Sequence, residues 1–397
     1  MIRLLPVMVE QSASNAASAN GMVKCMTGSK LPHPWLARRT TTFDGSGIRR
    51  IFDLAATMKD PVDLSIGQPH FEVPEAIQKT AVEAITTGKN GYSATAGIAP
   101  LRQKLKSRID QQLGHTDRQV LVTSGTSGGI VLAMMALVNP GDEIIVFDPY
   151  FVIYQPLIQL VGGKCVLIDT YPDFTLNIEK VAAAITQKTK LILLNSPNNP
   201  TGHTVSAAQI QELAELAKKE NIVLLSDEIY QTFCYDSPFT SPALFNPQTL
   251  VVDGFSKTYG ITGWRVGFAH GPAEIIDVMT RIQPYTYVCA PQPAQWAATT
   301  ALDVDMSEAV TAYRHKRDLV VNSLADRYSI PQPGGAFYLF PKVPKGTASE
   351  FVARAIEHNL LIIPGSVFSQ RDTHFRISYA VSDAILERGI EILRKLA

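Results

Sequence analysis

An excess of either charge is the first thing this sequence lacks. Lys plus Arg and Asp plus Glu number 36 each, so no net field draws the chain to nucleic acid or to an anionic membrane. Cysteine is scarce: Cys25, Cys165, Cys234 and Cys289 are widely spaced, with no C-x-x-C pair. That excludes a disulfide framework and points to reduced thiols in the cytoplasm. The eight histidines form no cluster with metal-ligand spacing, so no metal is expected. Long apolar runs are missing too, since residues 130–138 are far too few to span a bilayer. The apolar opening, residues 1–9, is interrupted by Pro6, which leaves no signal-peptide core. Residues 1–45 are expected to form a flexible leader. Two nucleotide signatures are absent as well. The Gly125 turn has no P-loop lysine, and no G-x-G-x-x-G opens a helix, which speaks against ATP and NAD.

What remains is the composition of a globular protein. Hydrophobic residues make up 46% of the 397, and a chain of this length predicts two domains. Residues 119–123, 143–147, 165–168, 190–195, 222–226 and 249–252 are mostly Val/Ile/Leu runs, the pattern of strands covered on both faces. Helical patterns lie between several of them. Residues 130–138 are expected to form an apolar helix. In residues 206–219, Ser206 and Gln209 predict a capping box ahead of an apolar stripe. Such alternation means an α/β domain with a largely parallel sheet, with ligands held by the loops that follow the strands. After about Leu302 helices and strands segregate, as in a smaller α+β domain. The expected divisions are the leader 1–45, an N-terminal segment 46–66 packing with the small domain, a large domain 67–301 and a small domain 302–397. A helix is expected over 43–59 and a short strand over 64–69.

Several stretches carry chemistry. Lys257 sits in a loop of small residues with Arg265 close behind, flanked by glycines. A mobile amine beside a fixed cation suits a reactive lysine; the alternative is a surface lysine in a glycine-rich turn. Residues 122–129, Val-Thr-Ser-Gly-Thr-Ser-Gly-Gly, lead a strand into a helix. Their N–H groups and the hydroxyls of Thr126 and Ser127 would cradle a phosphate, or form a plain turn. Asn198 and Asn199 follow the strand 190–195 and offer amides to an oxyanion or phenolate. Asp227 ends another buried strand, where a carboxylate needs a positive partner such as a cationic ring nitrogen. Tyr230 follows in the next turn, and Glu228 is expected to bend outward into water. Phe151 would stack on a flat ring or fill the core. Arg376 interrupts an apolar strand and wants a carboxylate, from the protein or from a ligand.

A single phosphorylated pyridine aldehyde would use all of these groups. From about Ser46 to the C-terminus the chain resembles the class I/II aminotransferases, pyridoxal-phosphate (PLP) enzymes of fold type I, and is similar to their bacterial aspartate aminotransferase subgroup. The resemblance is carried by Gly67-Gln-Pro69, Tyr92 with Gly97-Ile-Ala-Pro-Leu-Arg102, and Asn198-Asn-Pro-Thr-Gly202. It continues in Asp227-Glu-Ile-Tyr230, Ser256-Lys257 with Gly263-Trp-Arg-Val-Gly267, and Phe375-Arg-Ile-Ser378. It implies a large domain with a mostly parallel mixed sheet flanked by helices, and a smaller α+β domain. It implies that Lys257 binds PLP covalently and moves the substrate proton, and that Asp227 keeps the ring nitrogen protonated. Tyr230 and Asn199 would bond the ring oxygen, and Phe151 would stack on the ring. Gly125, Thr126, Ser127 and Arg265 would hold the phosphate, with Ser256 in the same cofactor-binding set. Arg376 would clamp the substrate carboxylate, helped by Asn199 and the Gly67 backbone. Tyr92 would reach the phosphate of a neighbouring subunit, which makes a homodimer with shared sites. The substrates implied are an L-amino acid and a 2-oxo acid.

The chain departs from the family pattern in two places. Many relatives have a hydroxyl residue three positions before the lysine, where Gly254 stands here. Ser127 takes the position at which the similar aspartate aminotransferases carry a lysine for the side-chain carboxylate, so aspartate specificity does not follow. Residues 285–293, Tyr-Thr-Tyr-Val-Cys-Ala-Pro-Gln-Pro, are rich in aromatics and would favour a larger or apolar side chain. The rival readings are another PLP reaction, such as C–S β-elimination, and a PLP-binding regulatory module without turnover. The second wants a fused DNA-binding domain, and the residues before Ser46 show no helix-turn-helix pattern.

Overall fold

The computed structural model describes residues 33, 35–41, 55–114 and 116–397. Residues 1–41 and 42–397 are separate compact units. In the first, Arg38–Thr41 form a 3₁₀ turn. Most of the expected leader, and most of the helix expected over 43–59, lie outside the described residues.

The second unit opens with β1 (Val62–Asp63), which ends before the strand expected over 64–69. The reason is local. Asp63 Oδ1 accepts the Ser65 N–H at 2.8 Å and the Ser65 hydroxyl at 2.6 Å, so a donor goes to a side chain instead of a ladder. Seven strands then build the main sheet: β2 (Gln119–Thr123), β3 (Glu143–Asp148), β4 (Lys164–Asp169), β5 (Thr189–Asn195), β6 (Val223–Asp227), β7 (Leu250–Gly254) and β8 (Gly267–Gly271). Their order is β2-β8-β7-β6-β5-β3-β4. Parallel pairing runs from β7 through β6, β5 and β3 to β4, while β8 is antiparallel to both its neighbours. The sequence patterns did not mark β8, because Gly-Phe-Ala-His-Gly has the wrong composition for a strand. Its place between β2 and β7 supplies both ladders regardless.

Both faces of this sheet are covered, which explains the unbroken apolar runs. Ile144, Val146, Leu191 and Leu193 face one core with Leu132, Met134, Ile276 and Met279. Their neighbours Ile145, Phe147, Ile192 and Leu194 face the other, against Ile210, Leu213, Ala214 and Ala217. The helix Gly125–Leu137 begins inside the Gly/Ser/Thr stretch, well ahead of the expected start at Ile130. Helix Ala207–Lys219 has Ser206 as its N-cap, but its capping box is only half made. Gln209 Oε1, the acceptor that would close the box, takes the Ser206 hydroxyl at 2.9 Å instead, while its amide donates to Leu176 O at 2.9 Å. The complete box is Thr347 with Glu350, opening the helix Ala348–Glu357.

The C-terminal region adds β9 (Tyr338–Leu339), β10 (Leu360–Leu361), β11 (Ile363–Pro364) and β12 (Phe375–Ser378). Strands β11-β12-β9 form an antiparallel sheet, and β10 pairs in parallel with β1. Their core includes Leu64, Tyr313, Phe337, Phe351 and Leu386, and takes in Ile229, Tyr230 and Phe233 from the turn after β6. This shared packing sets the small sheet against the C-terminal end of the large one.

Candidate active site

Where the two sheets meet lies a cavity of about 280 Å³. It sits beyond the C-terminal ends of β5 and β6, as parallel-sheet topology predicts. Eleven of the residues singled out from the sequence line it: Gly67, Thr126, Ser127, Phe151, Asn199, Asp227, Tyr230, Ser256, Lys257, Arg265 and Arg376. Gly125 lies directly behind. Its φ is +66°, and a Cβ there would run into the Arg265 guanidinium, so conformation and space both call for glycine. Tyr92 stands apart from the cavity and is 84% exposed. Residues 285–293 do not line it either: Tyr285 is 89% exposed, and Tyr287 packs near Gly128 at the start of the Gly125–Leu137 helix.

Asp227 is buried at the end of β6. Burial pushes its carboxyl up to about 6, opposed by a hydrogen bond from Tyr154, the Ile229 N–H and the positive charge of Lys257. The Tyr154 hydroxyl donates to Asp227 Oδ2 at 2.6 Å, and the Ile229 N–H reaches Oδ1 at 3.3 Å. Asn195, at the end of β5, donates its amide to Asp227 O at 3.0 Å and accepts the Asn199 N–H at 2.9 Å. One side chain therefore fixes the asparagine loop against the strand that carries the acid. Phe151 meets Tyr154 edge to face, with centroids 5.7 Å apart.

Lys257 reaches across from the loop after β7 and donates to Gly67 O at 2.6 Å. Burial lowers its amine to about 8, helped by the positive charges of Arg376 and Arg265 and opposed by Asp227. Near neutral pH a useful fraction is thus uncharged and nucleophilic. Arg265 adopts φ +53°, a left-handed conformation that costs energy in a residue with a Cβ. Its guanidinium crosses Gly125 and bonds Thr262 O at 3.0 Å. The nearby Thr126 Oγ1 is buried without a hydrogen-bond partner among the described residues. Gly254 has no room for the hydroxyl side chain of the family pattern: a Cβ there would lie 2.8 Å from Thr126 Oγ1.

Arg376, on β12, is buried between two rings, with Cζ 4.7 Å from the centroids of both Tyr338 and Phe368. It donates to Asn199 Oδ1 at 3.0 Å and to Ser65 O at 2.5 Å. Its Nε has no partner among the described residues. Burial lowers the pKa of its guanidinium from the ordinary value.

The structure adds Tyr154, Asn195 and Tyr338, which the sequence does not mark as site residues. Tyr154 follows β3 with no local signal of its own, and Tyr338 lies within an aromatic run that signals only a small domain. Glu228 is a correction. The sequence expects it to turn into water, yet it is buried on the side of the strand end away from Asp227's cavity, accepting the Ser241 hydroxyl at 2.7 Å. Successive residues of a strand face opposite ways, and behind a doubly covered sheet that way leads into protein. Burial pushes the Glu228 carboxyl up to about 7.

Comparison with known proteins agrees with this geometry. Residues 59–393 match the family described as aminotransferase class I and II. The chain is 35% identical to a probable aspartate aminotransferase of Methanocaldococcus jannaschii, over 91% of this chain and 99% of that protein. It is 33% identical to aromatic-amino-acid aminotransferase 2 of Thermococcus litoralis, over 91% of this chain and 98% of that one. The solved structure of Thermus thermophilus aspartate aminotransferase with maleate superimposes with a TM-score of 0.88 at 32% identity, covering 91% of this chain and 99% of that chain. The chain belongs to the class I and II aminotransferases, pyridoxal-phosphate-dependent enzymes of the aspartate aminotransferase type, with the α/β architecture of fold type I.

Proposed function

We propose that the protein moves the amino group of an L-amino acid to a 2-oxo acid by ping-pong chemistry, with Lys257 as the covalent anchor for PLP. One observation carries the reading: an amine lowered to about 8 projects into a cavity whose other charged groups are Asp227, Arg265 and Arg376. The residues fit the cofactor. Arg265, the unpartnered Thr126 hydroxyl, Ser127, Ser256 and the first N–H groups of the helix Gly125–Leu137 offer an anion cradle. Asp227 suits a protonated ring nitrogen, Tyr230 and Asn199 a ring oxygen, and Phe151 a ring face. Bound there, PLP supplies the electron sink for the substrate α-carbon. Lys257 Nζ, freed when the substrate amine takes its place, would carry the proton from the substrate α-carbon to the cofactor's C4′, and Arg376 would hold the α-carboxylate through its free Nε edge, with Asn199 and Gly67 alongside.

The side-chain end of the cavity favours uncharged amino acids. The cavity lining includes the apolar side chains of Ile66, Ile130 and Ile229, and Ser127 stands where the family resemblance puts a lysine for a second carboxylate. The reading extends to a homodimer in which the exposed Tyr92 enters the partner's site, and to a large domain over 67–301 and a small one over 302–397. It also includes a cytoplasmic location, which the unpaired thiols of Cys165, Cys234 and Cys289 suit. Among the described residues, no helix is long and apolar enough to cross a membrane.

A half-reaction screen tests the function. Each amino acid is added in turn to the PLP-loaded protein, and loss of the visible band is followed, then its return with a 2-oxo acid. Apolar or aromatic amino acids should bleach the band faster than aspartate. Pyruvate and ammonia released from a cysteine conjugate, with no need for an acceptor, would assign the site to elimination instead.

A further inference from the structure

Tyr338 touches three parts of the site at once. It comes from β9, in the small sheet, and is fully buried. Its hydroxyl lies 2.8 Å from that of Tyr230, with the rings edge to face and 5.6 Å between centroids. Its ring covers one face of Arg376, the other face being taken by Phe368. Beside it runs the Gly67 backbone, so closely that a Cβ on Gly67 would strike the Tyr338 oxygen. Arg376 in turn donates to Asn199 Oδ1, whose Nδ2 donates to the Tyr230 hydroxyl at 3.5 Å. The contacts close a ring: Tyr338, Tyr230, Asn199, Arg376 and back to Tyr338.

Proton counting gives this ring a direction. Two facing hydroxyls hold two protons, of which one bridges the oxygens and one is left over. Either hydroxyl could donate the bridge, and Arg376 favours the ionised form of both tyrosines. Once an acceptor in the cavity takes the Tyr230 proton, Tyr338 is left as the donor of the bridge. With donations arriving from Tyr338 and Asn199, the Tyr230 proton is free for an acceptor in the cavity.

We propose that Tyr338 is a positioning residue that keeps the Tyr230 proton aimed at the ring oxygen of the cofactor and ties that hydroxyl to the arginine for the substrate carboxylate. The inference rests on the reading that this cavity holds PLP on Lys257. A donor to the ring oxygen draws electron density from it, so the oxygen holds the proton on the lysine nitrogen less tightly. Losing Tyr338's donation weakens Tyr230 as a donor and raises the pH at which that proton leaves. The other titratable and charged groups around the pair are Lys257, Asp227 with its partner Tyr154, Arg265 and Arg376. None of them is altered by removing a neutral hydroxyl.

The test is a pH titration of the visible band of the PLP-loaded protein without substrate, for wild type, Tyr338→Phe and Gly67→Ala. Tyr338→Phe should raise the transition by about half a unit to one unit, the worth of one neutral hydrogen bond. It should also leave the affinity for an unreactive monocarboxylate, 3-phenylpropionate, within about twofold, because the ring still covers Arg376. Gly67→Ala keeps both tyrosines but pushes the Tyr338 oxygen aside, and should raise the transition in the same direction. Combined with Tyr338→Phe, it should add little more. An unchanged transition in both single variants overturns the proposal, as does a Tyr338→Phe protein that loses carboxylate affinity without a spectral shift. A wild-type protein with no visible band would instead overturn the cofactor reading on which this one stands.

Discussion

The two walls of the cavity treat buried charge in opposite ways. On the wall of the large sheet, Asp227 already has protein partners, with Tyr154 on one carboxylate oxygen and the Ile229 N–H on the other. On the wall of the small sheet, Arg376 donates to two neutral groups, Asn199 Oδ1 and Ser65 O, while its Nε has no partner among the described residues although it is buried between two rings. A buried guanidinium left in that condition gains most from a carboxylate that arrives from outside. One wall is arranged for a group that stays, the other for a group that comes and goes. That division suits the resident cofactor and exchanging substrates proposed above.

The largest effect should come from Lys257→Ala, which removes the group standing between the walls. Turnover should fall by at least about a thousandfold, the scale of a positioned proton-transfer group, while the protein stays folded. Next comes Arg376→Leu, which should raise KM for every amino acid substrate by about 30- to 100-fold, the scale of a charge-assisted bidentate pair. A loss confined to dicarboxylic substrates would mean that this wall binds the side chain and not the α-carboxylate. Tyr154→Phe acts on the other wall: Asp227 loses its shortest hydrogen bond, and affinity for PLP should weaken by about tenfold with KM for amino acids little changed. Equal effects on both quantities would erase the distinction between the walls.

Subunit sharing makes a separate test. Tyr92→Ala and Lys257→Ala proteins, each nearly inactive, should recover up to about a quarter of wild-type activity when mixed, since half the dimers would then hold one intact site. Recovery of nothing above the sum of the parts would place Tyr92 in its own subunit's chemistry or in none.

The smallest effect concerns the far side of β6. Burial raises Glu228 from an ordinary value of 4.5 to about 7, so the folded state holds its proton more tightly than the unfolded chain. Wild type therefore loses stability from this group as pH rises through that window. Glu228→Gln keeps a hydrogen-bonding partner for Ser241 without the charge. Its Tm advantage over wild type should grow by about 2–4 °C from pH 5 to pH 8. A constant offset at all pH values would show that Glu228 does not titrate there.

Much of this was legible in the sequence, for physical reasons that differ from residue to residue. Asp227 and Asn199 could be read because buried apolar runs end in polar side chains, and topology sends the ends of parallel strands to one edge. Lys257 and Arg265 could be read because glycines mark where the backbone must come close. β8 was hidden, since its glycines and histidine defy strand propensity and only two neighbouring strands give it structure. Glu228 misled because a polar residue beside a site residue suggests solvent, and only the helices behind the sheet show that there is none. Tyr154 and Tyr338 were hidden for a third reason. Their roles depend on contacts across long sequence separations, Tyr154 with Asp227 and Tyr338 with Tyr230, which no local pattern encodes.

Every role proposed for the cavity depends on Lys257 as the residue that holds the cofactor. Borohydride reduction of the PLP-loaded protein, followed by digestion and mass spectrometry, tests it directly. A phosphopyridoxyl group should appear on Lys257 and on no other lysine. The same group on a different lysine, or on none despite a visible band before reduction, would contradict it.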